Sequence, residues 1–161
     1  MSTTTSGNGT QTDVDATMAR IGEAIARAQQ GQRAEARAAF AEIWGEIGDD
    51  GDPLHRCTLA HHMADVQDDP HDELAWDLRA LHAADSVTDE RAAAAGATGP
   101  VAAFYPSLHL NLGEDFRKLG NVAEARRHLD LGREAAVHLG DDPSGSMVRA
   151  GLDGLTERLG A

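Results

Sequence analysis

One cysteine, Cys57, stands in a chain of 161 residues, so no disulfide can form within it. That suits a reducing compartment, and a cytoplasmic protein is expected. Aromatic residues make up only 4%, which leaves Leu and Ala to supply most of the buried surface. β-Branched residues are sparse, which argues against a sheet protein. Lys118 is the only lysine, the arginines form no cluster, and the net charge is −13. A nucleic-acid binder needs a basic face to neutralise phosphates, so that class is excluded. Docking to an anionic membrane is disfavoured for the same reason. No apolar run approaches the roughly 18 residues of a membrane span. The start, MSTTTSGNGTQT, lacks the charged and apolar regions of a signal peptide. Many arginines beside a single lysine, with abundant Ala and Gly, suggest a high-GC bacterial genome.

What the chain has is helical periodicity. Residues 1–12 are polar and read as a disordered tail; residues 13–161 read as one all-α domain. Val14, Met18, Ile21, Ile25 and Ala28 form the stripe of a first helix, with Asp13 or Asp15 at its cap and Gly31 at its end. Ala36, Phe40, Ile43 and Ile47 mark a second helix. A third runs over 53–66 on Leu59, Met63 and Val66, with Pro53 at its start. A fourth begins near His71, its inner face lined by Leu74, Leu78 and Leu81, with Trp76 turned toward a neighbouring pair. Residues 86–100 read as an insertion: Asp89 to Ala95 are a short helix or an extension of the fourth, and Gly96 to Pro100 a loop. A fifth helix carries Val101, Tyr105, Leu108, Leu112, Phe116 and Leu119, its start delayed or kinked by Pro106. Val122, Ala125, Leu129, Gly132 and Ala136 mark a sixth, and Val148, Leu152, Leu155 and Leu159 a seventh. Short turns make successive helices antiparallel, giving three hairpins and an unpaired seventh helix.

Residues 108–135 resemble a tetratricopeptide repeat (TPR). Leu112-Gly113 match that family's Leu-Gly pair, Phe116 stands for its Tyr, Gly120 is the turn glycine, Ala125 the small residue and Leu129 the large one. His109 stands where the family has Trp, and the closing Pro is missing. The first hairpin matches in its second half only, at Gly31, Ala36 and Phe40. The second matches loosely, with Met63-Ala64 for Leu-Gly and a turn read as shorter. The resemblance implies a right-handed helical-hairpin solenoid, three TPR-like repeats plus a C-terminal capping helix.

It also implies a function: a non-catalytic adaptor whose concave groove, lined by the first helix of each hairpin, binds a partner peptide or helix. The groove residues expected are His61, His62 and Asp65 on the third helix, and Leu110, Asn111, Glu114, Arg117 and Lys118 on the fifth, with His62 near Asn111. The first helix adds an apolar end through Met18, Ile21 and Ile25. Some family members hold a C-terminal carboxylate with a Lys/Asn/Arg clamp. Asn111, Arg117 and Lys118 offer part of one, and His61 and Asp65 of the third helix oppose it. The alternative is a small-molecule or metal-dependent site, catalytic in its strongest form. His61 and Asp65 form an i, i+4 pair able to orient a base or bind a metal, and His109, His62 or Glu114 would complete it. No phosphate loop, G-x-S-x-G or H-E-x-x-H is present, so no cofactor is expected. Cys57 reads as packing. A third expectation is a homodimer formed through the acidic convex face or an uncapped end.

Overall fold

The computed structural model describes residues 9–160, with side chains from Ala16 onward. It is all-helical: α1 (Gly9–Gln29), α2 (Arg33–Ile47), α3 (Pro53–Asp65), α4 (Pro70–Ala84), α5 (Asp89–Ala94), α6 (Tyr105–Lys118), α7 (Val122–Ala135) and α8 (Pro143–Leu159). Single 3-10 turns at Val101–Phe104 and Ala136–His138 precede α6 and follow α7. No strand occurs among the described residues, and no helix there is long and apolar enough to cross a membrane. The expected tail differs in part. Helix α1 already begins at Gly9, so Asp13 and Asp15 lie inside it rather than at its cap. Residues 1–8 fall outside the described residues.

Three helix starts share one device. Asp52-Pro53, Asp69-Pro70 and Asp142-Pro143 each put an Asp at the cap and a Pro in the first turn. The Asp52 carboxylate accepts from the Leu54 amide at 2.8 Å, that of Asp69 from His71 at 2.7 Å and that of Asp142 from Gly145 at 3.1 Å. Each such cap contributes about 1 kcal/mol, and proline costs nothing where an amide has no helical partner. Pro106 acts similarly. It stands second in α6, so the chain reaches it through the 3-10 turn rather than through a continuous helix from Val101.

Helices α1/α2, α3/α4 and α6/α7 pack as hairpins. The first and third close in the same way. Gly31 and Gly120 take φ of 83° and 80°, and the next amide reaches back across the helix end, Gln32 to the Arg27 carbonyl and Asn121 to that of Phe116, both at 2.9 Å. A left-handed glycine allows this closure. The α3/α4 turn spans residues 66–69, longer than the other two rather than shorter, and has no glycine. Arginines of α2 serve instead: Arg33 donates to the Asp65 carbonyl at 2.9 Å and Arg37 to that of Val66 at 3.0 Å. Both also pair with Asp68, so the first hairpin is fastened to the turn of the second.

Three apolar clusters follow one another along the chain. Ile21, Phe40, Ile43, Leu59, Met63 and Val66 join α1, α2 and α3. Leu54, Ala80, Ala83, Ala84, Val101 and Leu108 join α3, α4 and α6. Ala125, Leu129, Leu152 and Leu155 join α7 to α8. Trp76 meets Trp44 of α2 edge to face, with centroids 5.1 Å apart, which links the first two clusters. The inner face of α4 differs from the leucine stripe. Asp77, Ala80, Ala83 and Ala84 are buried, and Leu78 is 44% exposed. Alanines let α4 lie close to its neighbours, and the leucines are carried to the rim. Ile21 is likewise core rather than groove lining.

The segment 86–100 is packed down. Arg91 of α5 binds Asp52 at 2.8 Å, Asp89 accepts from the Val101 amide at 2.8 Å, and Ala92 is fully buried. Two glycines in exposed and strained settings should answer differently to one substitution. Gly22→Ala, in open space within α1, should stabilise the protein by about 1 kcal/mol. Gly120→Ala, at positive φ, should destabilise it by about 1–2 kcal/mol. Thermal melts of the two variants, displaced in opposite directions, check this.

Candidate functional site

Helix α3 presents two faces to the rest of the molecule. One packs in the core through Leu59, Ala60, Met63 and Ala64. The other carries Cys57, Thr58, His61 and His62 into a cavity of about 610 Å³. Across that cavity stand Ser107 and Leu108 of α6, residues 97–100, Phe104, and the start of α8 with Ser144, Gly145 and Val148. The 86–100 insertion is thus part of the wall. A smaller depression of about 250 Å³ lies beside it, between Ile25 and Ala28 of α1 and His62, Asp65 and Val66 of α3. His62 lines both hollows.

The His61 ring separates the larger cavity from a polar interior. Its Nδ1 lies 3.3 Å from Asn111 Nδ2 and 3.9 Å from Asp77 Oδ1. It meets the His62 ring edge-on at 5.3 Å. Burial lowers the pKa of His61, and burial takes that of His62 down to about 4, helped by His61. Both rings are neutral at pH 7, and the Asn111 amide donating to His61 Nδ1 leaves the ring proton on Nε2. Cys57 is buried, and burial pushes its thiol up to about 12, consistent with packing rather than a nucleophile.

Behind His61 lies a group of carboxylates. Glu73 and Asp77 stand one turn apart on α4, and Asp115 faces them from α6; one oxygen of each lies within 4.8 Å of the others. Asp77 is 2% exposed and Asp115 not at all. Asp77 Oδ1 and both Asp115 oxygens have no hydrogen-bond partner. Burial raises the pKa of both, and each is raised further by neighbouring carboxylates, Asp65 and Glu73 for Asp77 and Asp77 and Glu73 for Asp115. Glu73 reaches the surface, where Lys118 Nζ holds it at 2.9 Å.

The sequence-derived candidates separate into three groups. His61, His62 and Asp65 line the hollows, and Asn111 meets His61 rather than His62. Leu110 and Glu114 turn toward α8 instead of an open groove, and Arg117 pairs with Glu114. An added Cβ at Gly151 would stand 2.5 Å from Leu110 Cδ2, and Glu114 is bridged to both Arg117 and Arg158. His109 lies on the opposite side of α6 from Asn111, as two residues at about 100° each require. It is buried against α7, its Nδ1 3.0 Å from that of His128, with Tyr105 stacked on it. His61, Asp65 and His109 therefore do not converge. Of the expected clamp, Asn111 serves His61, Lys118 serves Glu73 and Arg117 serves Glu114.

Sequence reasoning missed Glu73, Asp77 and Asp115. A signal was present. Asp115 falls at i+7 from Leu108 and i+3 from Leu112, on the apolar stripe of its helix. Asp77 likewise stands three residues before the buried Ala80. Acidic residues at core positions are rare unless paired, so each marks a place where burial needs explanation.

The facing histidines yield a pH dependence. Between the two Nδ1 atoms one nitrogen must donate and the other accept, so a second proton there is repelled. Burial, Arg127 and His109 lower His128 to about 4, and burial and Arg127 lower His109. The unfolded chain takes up these protons near 6.5, the folded one only at lower pH. Stability from these groups is complete above 6.5 and is lost as pH falls toward 4. His61 and His62 act in the same direction, while Asp77 and Asp115 act in the opposite one. The melting temperature should drop less between pH 7 and pH 4.5 in His128→Gln than in the parent; equal drops would refute a role for this pair.

No protein-family model matches the sequence, and comparison with curated proteins and with solved structures finds no match.

Proposed function

We propose that the chain is a TPR-like scaffold that binds a short peptide segment of a partner protein in the cavity between α3, α6 and α8. Support for the scaffold comes from the two hairpins closed by the same glycine turn, and from Gly113, where an added Cβ would lie 3.4 Å from the Ala125 carbonyl. The small residues thus stand at the α6/α7 crossing, where the repeat pattern wants them. Helix α8 then acts as the cap, packed on the third hairpin through Leu152, Leu155 and Leu159.

The observation that carries the reading is the cavity. Its volume of about 610 Å³ falls in the range of sites that bury a drug-sized ligand or a few residues of chain. Its lining is mixed. Phe104, Leu108 and Val148 suit an apolar anchor, and Thr58, His61, His62 and Ser144 offer hydrogen bonds to a backbone. Helix α8 covers the face of α6 that bears Leu110 and Glu114, so a long amphipathic helix has no continuous trough there. A short segment fits better. The net charge of −13, with Asp65 and Asp142 at the hollows, favours a segment with Lys or Arg beside its anchor.

Selection from a random peptide library displayed on phage tests this. Enriched peptides should carry one apolar residue flanked by basic ones, and their binding should weaken with salt. Ala103→Trp, which fills the cavity from its wall, should weaken binding at least about tenfold while far-ultraviolet circular dichroism stays unchanged. Failure to enrich any peptide, or binding indifferent to Ala103→Trp, would overturn the reading.

A further inference from the structure

We propose that Glu73, Asp77 and Asp115 form a site for one divalent cation between α4 and α6, behind the His61 wall of the cavity. Three carboxylate oxygens within 4.8 Å of one another leave an ion at their centre within about 2.8 Å of each, close to the 2.0–2.6 Å of hard-cation coordination. Only a small closing of the side chains is required. Spacing alone does not carry the inference, since acidic groups often cluster at surfaces. These are not at a surface. Asp77 and Asp115 are buried, and three of their four oxygens have no donor.

The charges around the cluster point the same way. Asp65 of α3 adds a fourth carboxylate to the field on Asp77. Lys118 reaches only Glu73, at the mouth, and Arg33 is spent on the Asp65 and Gln67 carbonyls and Asp68. His61 stands beside Asp77, its Nδ1 3.9 Å from Oδ1. Protons held within the cluster, between Asp115 and both Asp77 and Glu73, are the competing way of satisfying these oxygens. One cation at the centre satisfies all three residues at once.

The donor set selects the ion. Three carboxylates without a thiolate suit Mg²⁺, Mn²⁺ or Ca²⁺ rather than a soft metal. Any of the three ions fits this donor set, and Mn²⁺ is the probe used to test it. The half-buried Glu73 is the route inward, and there the Lys118 ammonium competes with the ion for the same oxygens.

Isothermal titration of untagged, EDTA-treated protein with Mn²⁺ decides the matter, with the melting temperature followed in parallel. One Mn²⁺ per chain and a raised melting temperature are expected. Asp115→Asn and the milder Glu73→Gln should each weaken binding at least about tenfold. Lys118→Met should strengthen it, an effect that a merely structural lysine would not produce. Absence of stoichiometric binding of Mn²⁺, Mg²⁺ and Ca²⁺ would overturn the proposal. So would binding that ignores Glu73→Gln, or a metal-independent rise in melting temperature in Asp115→Asn with Mn²⁺ still bound, which would identify a shared proton as what the pair holds.

Discussion

Helix α6 is committed on every side, and the arrangement of the other helices follows from that. Leu108 joins the cluster under α3 and α4, Gly113 sits against Leu155 and the α7 backbone, and Leu110 presses on Gly151 of α8. Close approach on two of these sides involves glycine: an added Cβ at Gly113 would stand 2.6 Å from Leu155 Cδ2, and one at Gly151 would stand 2.5 Å from Leu110 Cδ2. The same packing carries Asp115 and His109 into the interior, while Lys118 at the end of the helix stays exposed.

The polar interior is consequently unusual. Burial lowers the pKa of half-buried His61 and His62 and of buried His128, and two buried carboxylates face each other across α4 and α6. Burying a charge without a partner is costly, and burial accordingly raises the pKa of Asp77 and Asp115. They also relate the two halves of the site. His61 carries the cavity on one side of its ring and the carboxylates on the other.

Much of the helical layout was legible. The Asp-Pro pairs at 52–53, 69–70 and 142–143 mark starts that need only local chemistry. Gly31 and Gly120 mark ends for the same reason. Legibility stopped at the orientation of each helix about its axis. On α4 the leucine stripe pointed to Leu74, Leu78 and Leu81, yet Ala80, Ala83 and Ala84 face inward, because close packing against α3 and α6 rewards small residues over large ones. On α6, Leu110 and Glu114 had the spacing of a groove face, and α8 lies on it. Nothing within α6 records that a helix some 30 residues later will cover that face.

The sequence by itself determined that the chain is helical, where most helices begin and end, and that short turns fold them into pairs. These properties arise from capping, turn chemistry and periodicity, which act over one or two turns of chain. Only the tertiary structure decided which side chains meet: His61 with Asn111 and Asp77, His109 with His128, and Asp115 with Glu73 and Asp77. Those meetings depend on the rotation and crossing of helices distant in sequence, set by the sum of many weak contacts. A buried carboxylate and an exposed one are the same letter in the sequence, and packing alone makes them different.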